Sequence, residues 1–459
     1  MDSWLKAALA YVPRFLEFQL RQTEQPGCTI AVAHNGKLVL EQSFGYADAE
    51  RRIDLTPRHR FRVASHSKSF TAAGVMRLRE QRKLRLDDPA GQFVSGLHPR
   101  LADVTIGQLL SHGSGIIRDG TDAGQWQERR PFLDARELRA ALTAAPVIEP
   151  NSRFKYSNHG FGLAGLVIEA VTGEAYGTWI QREIIARAGL EATTPDMPIA
   201  RGAAMARGHG GKQPLGRRVV IPGDQSTRAL APATGFVSTA GDLARFFAQL
   251  DPAAKHSVLS TASRREMIRR QRRDPHGSLG RHYGLGIMSG NVGDWEWYGH
   301  GGAFPGYISR TAMLPGRGIA VSIVTNAIDG MANQWSDSVL HILQLFARHG
   351  APSARTRDWT GRWWTLWGAV DLVPMAQRVL VASPALLTPF VDASEIEIAG
   401  KSRGRIVLAN GFANHGEEAR RTLNRSGKPT ELWLGGTKWL PDSKLAAEMS
   451  RRYPGTKRR

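Results

Sequence analysis

"FRVASHSKSF", residues 61 to 70, sets three serines and one lysine within five consecutive positions and runs on into an apolar stretch. Extended residues, "RFRVA", lead into a helical pattern beginning at Ser65. Positions three apart share a helix face, so Ser65 and Lys68 are expected as neighbours, whereas Ser67 and Ser69 point elsewhere. A backbone N–H at a helix start has no intrahelical acceptor, which leaves that of Ser65 for a developing oxyanion. A lysine that is buried or flanked by cations loses its proton near neutral pH and can act as base for the hydroxyl. Alone, S-x-x-K also describes a capping serine beside a surface lysine, so its reading depends on the rest of the chain.

Before this stretch, "TIAVAHNGKLVLEQSFG" (residues 29–45) reads as two strands around Asn35-Gly36, a type I′ hairpin signal. After it, residues 65 to about 190 turn helical, with "LRAALTAAPVIEP" and "FGLAGLVIEAVTG" ended by Gly or Pro. Strand patterns return at "WEWYGHGG", "GYISRTAMLP" and "GIAVSIVTNA", and "NQWSDSVLHILQLFARHG" closes as a helix. The expected class is α+β: the first hairpin and the late strands share one antiparallel sheet flanked by helices, with a helical subdomain inserted at about 65–235. This gives one domain over residues 1–350, a linker at 351–358 ("APSARTRD"), and a small all-β domain over 359–459, where "RVLVAS", "EIEIAG", "GRIVLANG" and "ELWLGG" are separated by turn residues.

Composition narrows the function classes. The chain of 459 residues has 42% hydrophobic and 22% charged residues, as expected of a globular protein of two or three units. No run of about eighteen apolar residues offers a membrane span, and the N-terminus reads as an amphipathic helix, not a signal peptide, so the expected location is cytoplasmic. Cys28, the sole cysteine, excludes an internal disulfide and a thiol-rich metal site. The net charge of +20 attracts polyanions nonspecifically, but no nucleic-acid motif accompanies it, and the densest cluster, "SRREMIRRQRRD" (263–274), reads as a solvated helix face. The sequence is silent on oligomeric state.

Two further motifs accompany S-x-x-K. "FKYSNHG" supplies Tyr156-Ser157-Asn158, 91 positions after Ser65, and "WYGHGGAFPG" supplies His300-Gly301-Gly302, 144 further on. In this order and spacing they resemble the serine β-lactamase and penicillin-binding-protein superfamily, which joins S-x-x-K to a second polar motif and a K-T-G strand. The Y-x-N form, with "GKLVLEQSFGYAD", "LRLDDPAGQFV", "TIGQLLSHGSGI" and "YGLGIM", is similar to the class C β-lactamase branch and its esterase and D-aminopeptidase relatives. The resemblance covers about residues 20–347. It implies that Ser65 is acylated, that Lys68 is its hydrogen-bonded partner, and that Tyr156 is general base and leaving-group acid, its pKa lowered by Lys68. It further implies that Asn158 positions Lys68 or the substrate, that the Ala303 N–H is the second oxyanion donor, and that Gln108 lines the cleft. His66, His112, His159 and His209 read as capping or structural residues.

The third motif departs from the family. His300 stands where antibiotic-hydrolysing members have lysine, and a histidine of ordinary pKa near ~6.5 is mostly neutral at pH 7. A penicillin carboxylate should then bind less well, and an H-x-G strand resembles the esterase and D-aminopeptidase group. The expectation is an acyl-enzyme serine hydrolase acting on a small ester or amino-acid amide, needing neither metal nor organic cofactor. A β-lactamase or D,D-carboxypeptidase and a noncatalytic ligand-binding relative stay open as alternatives.

Overall fold

The computed structural model describes residues 1–276, 280–410 and 413–455. The chain divides into two compact units, one of residues 24–336 and one joining residues 1–23 to 337–459.

The unit of residues 24–336 is built on a nine-stranded sheet. Its strands are β1 (Gly27–His34), β2 (Lys37–Asp48), β3 (Ile53–Asp54), β4 (Arg272–Arg273), β5 (His282–Tyr283), β6 (Met288–Val292), β7 (Trp295–Phe304), β8 (Tyr307–Leu314) and β9 (Ile319–Thr325). They lie in the order β3-β2-β1-β9-β8-β7-β6-β5-β4. Asn35 and Gly36 both have positive φ, 51° and 80°, as a two-residue turn matching strand twist requires. β1 then pairs antiparallel with β9 from Cys28↔Thr325 to His34↔Ile319, so the first hairpin and the late strands form one sheet. Their runs "GCTIAVA" and "IAVSIVT" are apolar without alternation because both faces are covered; every residue of β9 is buried. The helix Ala240–Gln249 packs on one face, against β1, β8 and β9.

The helices between β3 and β4 pack around α2 (Ser67–Glu80) and α3 (Asn158–Thr172). α3 is buried from Asn158 to Ile168, and its glycines permit close approach: a Cβ at Gly165 would strike the Pro232 ring. In the arginine-rich segment the expectation of a solvated face fails at Arg264. It is buried, and its guanidinium donates to the Gln249, Asp251 and Ala254 carbonyls, satisfying the end of the neighbouring helix.

In the other unit, eight antiparallel strands follow one another: β10 (Gly361–Thr365), β11 (Gly368–Met375), β12 (Arg378–Ala382), β13 (Ser394–Ile398), β14 (Arg403–Leu408), β15 (Glu418–Leu423), β16 (Pro429–Leu434) and β17 (Thr437–Trp439). Reciprocal bonds between Trp364 and Leu440, N–H to carbonyl at 2.8 and 2.9 Å, close the ends into a near-barrel. Two helices join this unit beside the long Ala332–His349. The N-terminal helix Ser3–Gln22 seats Tyr11 against Phe390 and Phe18 against Trp364, and Gln19 donates to the Pro384 carbonyl at 2.7 Å. The terminal helix Asp442–Arg452 buries no side chain and follows the all-β near-barrel as an addition to it. Among the described residues no helix is long and apolar enough to cross a membrane.

Candidate active site

The opening stretch turns sharply. Phe61-Arg62 pair with Val237-Ser238, Ala64 takes φ +45°, and Ala64–His66 form a single 3₁₀ turn that feeds α2. A positive φ at alanine is strained, and here it sits one residue before the serine of interest. The turn separates the three hydroxyls. Ser67 Oγ donates to the Ala64 carbonyl and accepts from Phe236 N–H at 3.0 Å, and Ser69 Oγ donates to the Gly286 carbonyl at 2.6 Å. Ser65 alone reaches the cleft.

Around Ser65 the distances are short. Lys68 Nζ lies 3.1 Å from Ser65 Oγ, 2.7 Å from Asn158 Oδ1 and 2.8 Å from the Ala233 carbonyl oxygen. The Tyr156 hydroxyl is 2.7 Å from the same Oγ. Asn158 is oriented in turn, its Nδ2 donating to Asp119 Oδ1 at 2.6 Å, and Asp119 pairs with Arg118 at 3.0 Å. Ser157, between the two motif residues, caps α3 by accepting from Gly160 N–H at 2.9 Å. This projects Tyr156 and Asn158 toward Ser65 from the helix start.

The electrostatics differ from the sequence expectation. Tyr156 is not lowered by Lys68: burial pushes its phenol up to about 12, although the Ser65 hydrogen bond and Arg118 pull the other way. Burial drives Lys68 well below the ordinary lysine value, Arg118 adds to this, and Asp119 opposes it. A fully buried ammonium with one nearby carboxylate loses more hydration than it regains. Both shifts thus disfavour the charged forms, and the Tyr156 hydroxyl donates to Ser65 Oγ.

The third motif forms the far wall. β7 and β8 join through Pro305-Gly306, with Phe304 opposite Tyr307. A two-residue turn closes on a bonded pair and bonding alternates along the ladder, so His300, Gly302 and Phe304 bond to β8 while the N–H groups of Gly301 and Ala303 face away from it. β6 covers β7 only as far as Gly299, which leaves the edge from His300 to Phe304 without a strand neighbour. Gly302 is required by close approach: a Cβ there would run into the Val63 carbonyl oxygen at the start of the Ser65 turn. The Ser65 N–H has no backbone acceptor among the described residues. His300 is buried, and its Nδ1 donates to the Gly301 carbonyl at 2.7 Å, so Nε2 accepts from the Tyr283 hydroxyl at 2.9 Å. Burial, with His66 and Lys68 nearby, pushes its pKa well below the ordinary histidine range, so it faces the cleft neutral.

The cleft, about 420 Å³, is lined by Ser65, Tyr156, Asn158, His300, Gly301, Gly302 and Ala303, so these predicted residues are together, with Lys68 buried behind Ser65. Gln108 is not among them. It is the N3 residue of a capping box, its Oε1 accepting from Thr105 N–H at 3.1 Å, and it belongs to a helix end. Sequence reasoning also missed residues that the site uses. Arg118, Arg281 and Arg310 line the cleft, and Asp119 orients Asn158. His112, read from the sequence as capping or structural, has φ +58°, accepts from Ser157 N–H and lays its ring 4.2 Å from that of Tyr156.

The chain is similar to known proteins in sequence and in fold. Protein flp of Staphylococcus aureus (strain N315) is 28% identical over 173 residues, 37% of this chain, and the chain spans about a third, 34%, of that relative's length. Penicillin-binding protein 4 of Amycolatopsis lactamdurans is 29% identical over 328 residues, 67% of this chain and 83% of the relative. The octameric penicillin-binding protein homologue from Pyrococcus abyssi is similar in fold over 94% of this chain and 99% of its own, at TM-score 0.66 and 22% identity. A D-stereospecific amidohydrolase from Streptomyces sp. covers 72% of this chain and 97% of its own, at TM-score 0.61 and 25% identity. The profile of the family described as Beta-lactamase matches residues 9–341, and the chain belongs to that family.

Proposed function

We propose that the protein hydrolyses a small ester or amino-acid amide through an acyl-enzyme on Ser65. The observation that carries this is Ser65 Oγ held between Lys68 Nζ at 3.1 Å and the Tyr156 hydroxyl at 2.7 Å. Neutral Lys68 takes the Ser65 proton as Oγ attacks the carbonyl carbon. The N–H groups of Ser65 and Ala303 hold the oxyanion, each such donor being worth about 3 kcal/mol. Collapse of the tetrahedral species breaks the bond to the leaving group, which takes a proton from Tyr156. The Lys68 ammonium, whose Nζ is 4.8 Å from the Tyr156 ring centroid, restores that proton. Water then repeats the sequence against the acyl-enzyme. The open edge of β7 supports an extended acyl donor lying alongside the strand backbone.

A second reading, β-lactamase or D,D-carboxypeptidase, is favoured by Arg118 and Arg281 in the cleft lining, because guanidinium groups supply the carboxylate recognition that neutral His300 does not. Steady-state turnover of a p-nitrophenyl ester, both enantiomers of an amino-acid p-nitroanilide, and nitrocefin separates the two, with Ser65→Ala as blank. Ester or anilide turnover exceeding that of nitrocefin is expected. Faster nitrocefin turnover would replace the first reading with the second.

A further inference from the structure

The eight-stranded barrel is filled at one end only. At the end away from the β10–β11 turn, Trp359 and Trp363 are buried, Trp359 Nε1 donates to the Gly400 carbonyl at 3.2 Å, and the Arg421 guanidinium lies 4.3 Å over the Trp359 ring. Arg421 also donates to the Lys401 and Asp358 carbonyls, tying that end shut. Toward the other end the inward-facing residues shorten, and a cavity of about 550 Å³ opens. That lies within the range of small-molecule sites, and an eight-stranded barrel is just wide enough to hold one small ligand.

The lining has a clear chemistry. Its floor is apolar, formed by Val370, Val381, Ile406, Leu434 and Trp439. Trp439 is only 8% exposed, and its indole N–H has no hydrogen-bond partner among the described residues. At the mouth stand Asp392 and Glu417, the two charged residues of the lining; both are acidic in a chain of net charge +20. Neither is in a salt bridge among the described residues; Asp371, Glu397, Glu418 and Glu431 of the barrel each pair with an arginine or lysine, and Glu395, outside the cavity lining, is like Asp392 and Glu417 in none. Trp367, on the β10–β11 turn at the same mouth, leaves 90% of its surface in water. An apolar floor beneath two unpaired carboxylates and an exposed indole fits a molecule with an apolar body and a cationic head, which carboxylates and an aromatic face both attract.

We propose that the barrel is a binding site for a small organic amine with an apolar body. The proposal is independent of the Ser65 chemistry, whose cleft is lined by arginines that repel such a ligand. It is tested on full-length Ser65→Ala protein by titration calorimetry with 4-phenylbutylamine, 4-phenylbutanol and 4-phenylbutyrate. Saturable binding in the order amine, alcohol, acid is expected. The doubly substituted Asp392→Asn, Glu417→Gln protein, altered only at exposed side chains, should bind the amine about fivefold more weakly and the alcohol unchanged. Val381→Phe, which fills the floor, should weaken amine and alcohol alike. Absence of saturable amine binding, or amine binding that the double substitution leaves unchanged, would overturn the proposal.

Discussion

Ser65 differs from Ser67 and Ser69 in its partners: among the described residues its hydroxyl meets Lys68 and Tyr156 side chains, whereas the other two are committed to backbone groups. The proton inventory at this residue makes a testable claim about pH. Lys68 accepts a proton only when neutral, and its pKa lies well below the ordinary lysine value, so kcat/KM should rise as pH increases through that depressed pKa. It should then stay level until Tyr156 ionises toward about 12. Asp119 is the carboxylate that raises the Lys68 pKa, so Asp119→Asn should move the acid limb of the pH–rate profile to lower pH. A limb that stays in place, or moves to higher pH, would show that Lys68 is not the titrating group. Ser65, Lys68, Tyr156 and Asn158 were legible in the sequence because their side-chain types are dictated by chemistry. The Ala233 carbonyl that holds Lys68 leaves no side-chain trace, and Asp119 and His112 lie in loop segments without periodicity.

At the scale of elements, β7 and the Ser65 turn are held at a separation that only glycine at position 302 permits. Gly302→Ala should push the Ala303 N–H away from the reacting carbonyl, and a displacement of about 1 Å costs on the order of 10²-fold in rate. The measurement is kcat/KM beside the melting temperature, and retained activity in a folded protein would remove Ala303 from the oxyanion assignment. Strand patterns read well where alternation or apolar runs are imposed by burial, as in β1, β9 and β12 to β14. Gln108 was misplaced because a polar residue in a motif-like text can equally close a capping box, and only the Thr105 hydroxyl three residues earlier distinguishes the two uses.

On the scale of the whole molecule, the join of β1 to β9 links residues almost three hundred positions apart, and Cys28 sits at its start with no exposed surface. Burial pushes the thiol pKa up, so no reactive thiolate forms in the native state. Labelling of Cys28 by a maleimide should therefore track unfolding of the sheet under denaturant; rapid labelling of native protein would contradict the buried placement. The grouping of the N-terminal helix with residues 337–459 was not legible, because an amphipathic helix announces an apolar face without naming what covers it. The terminal helix Asp442–Arg452 escaped for the opposite reason, since it has no buried residue to impose an apolar run. The most direct test of the nucleophile is intact-mass analysis and peptide mapping after incubation with an activated ester and, separately, a penicillin, beside Ser65→Ala. A single acyl adduct confined to the peptide carrying Ser65, formed from the ester, lost with time and absent from Ser65→Ala, is the predicted result. An adduct on any other residue, or equal labelling of Ser65→Ala, would contradict the assignment of Ser65.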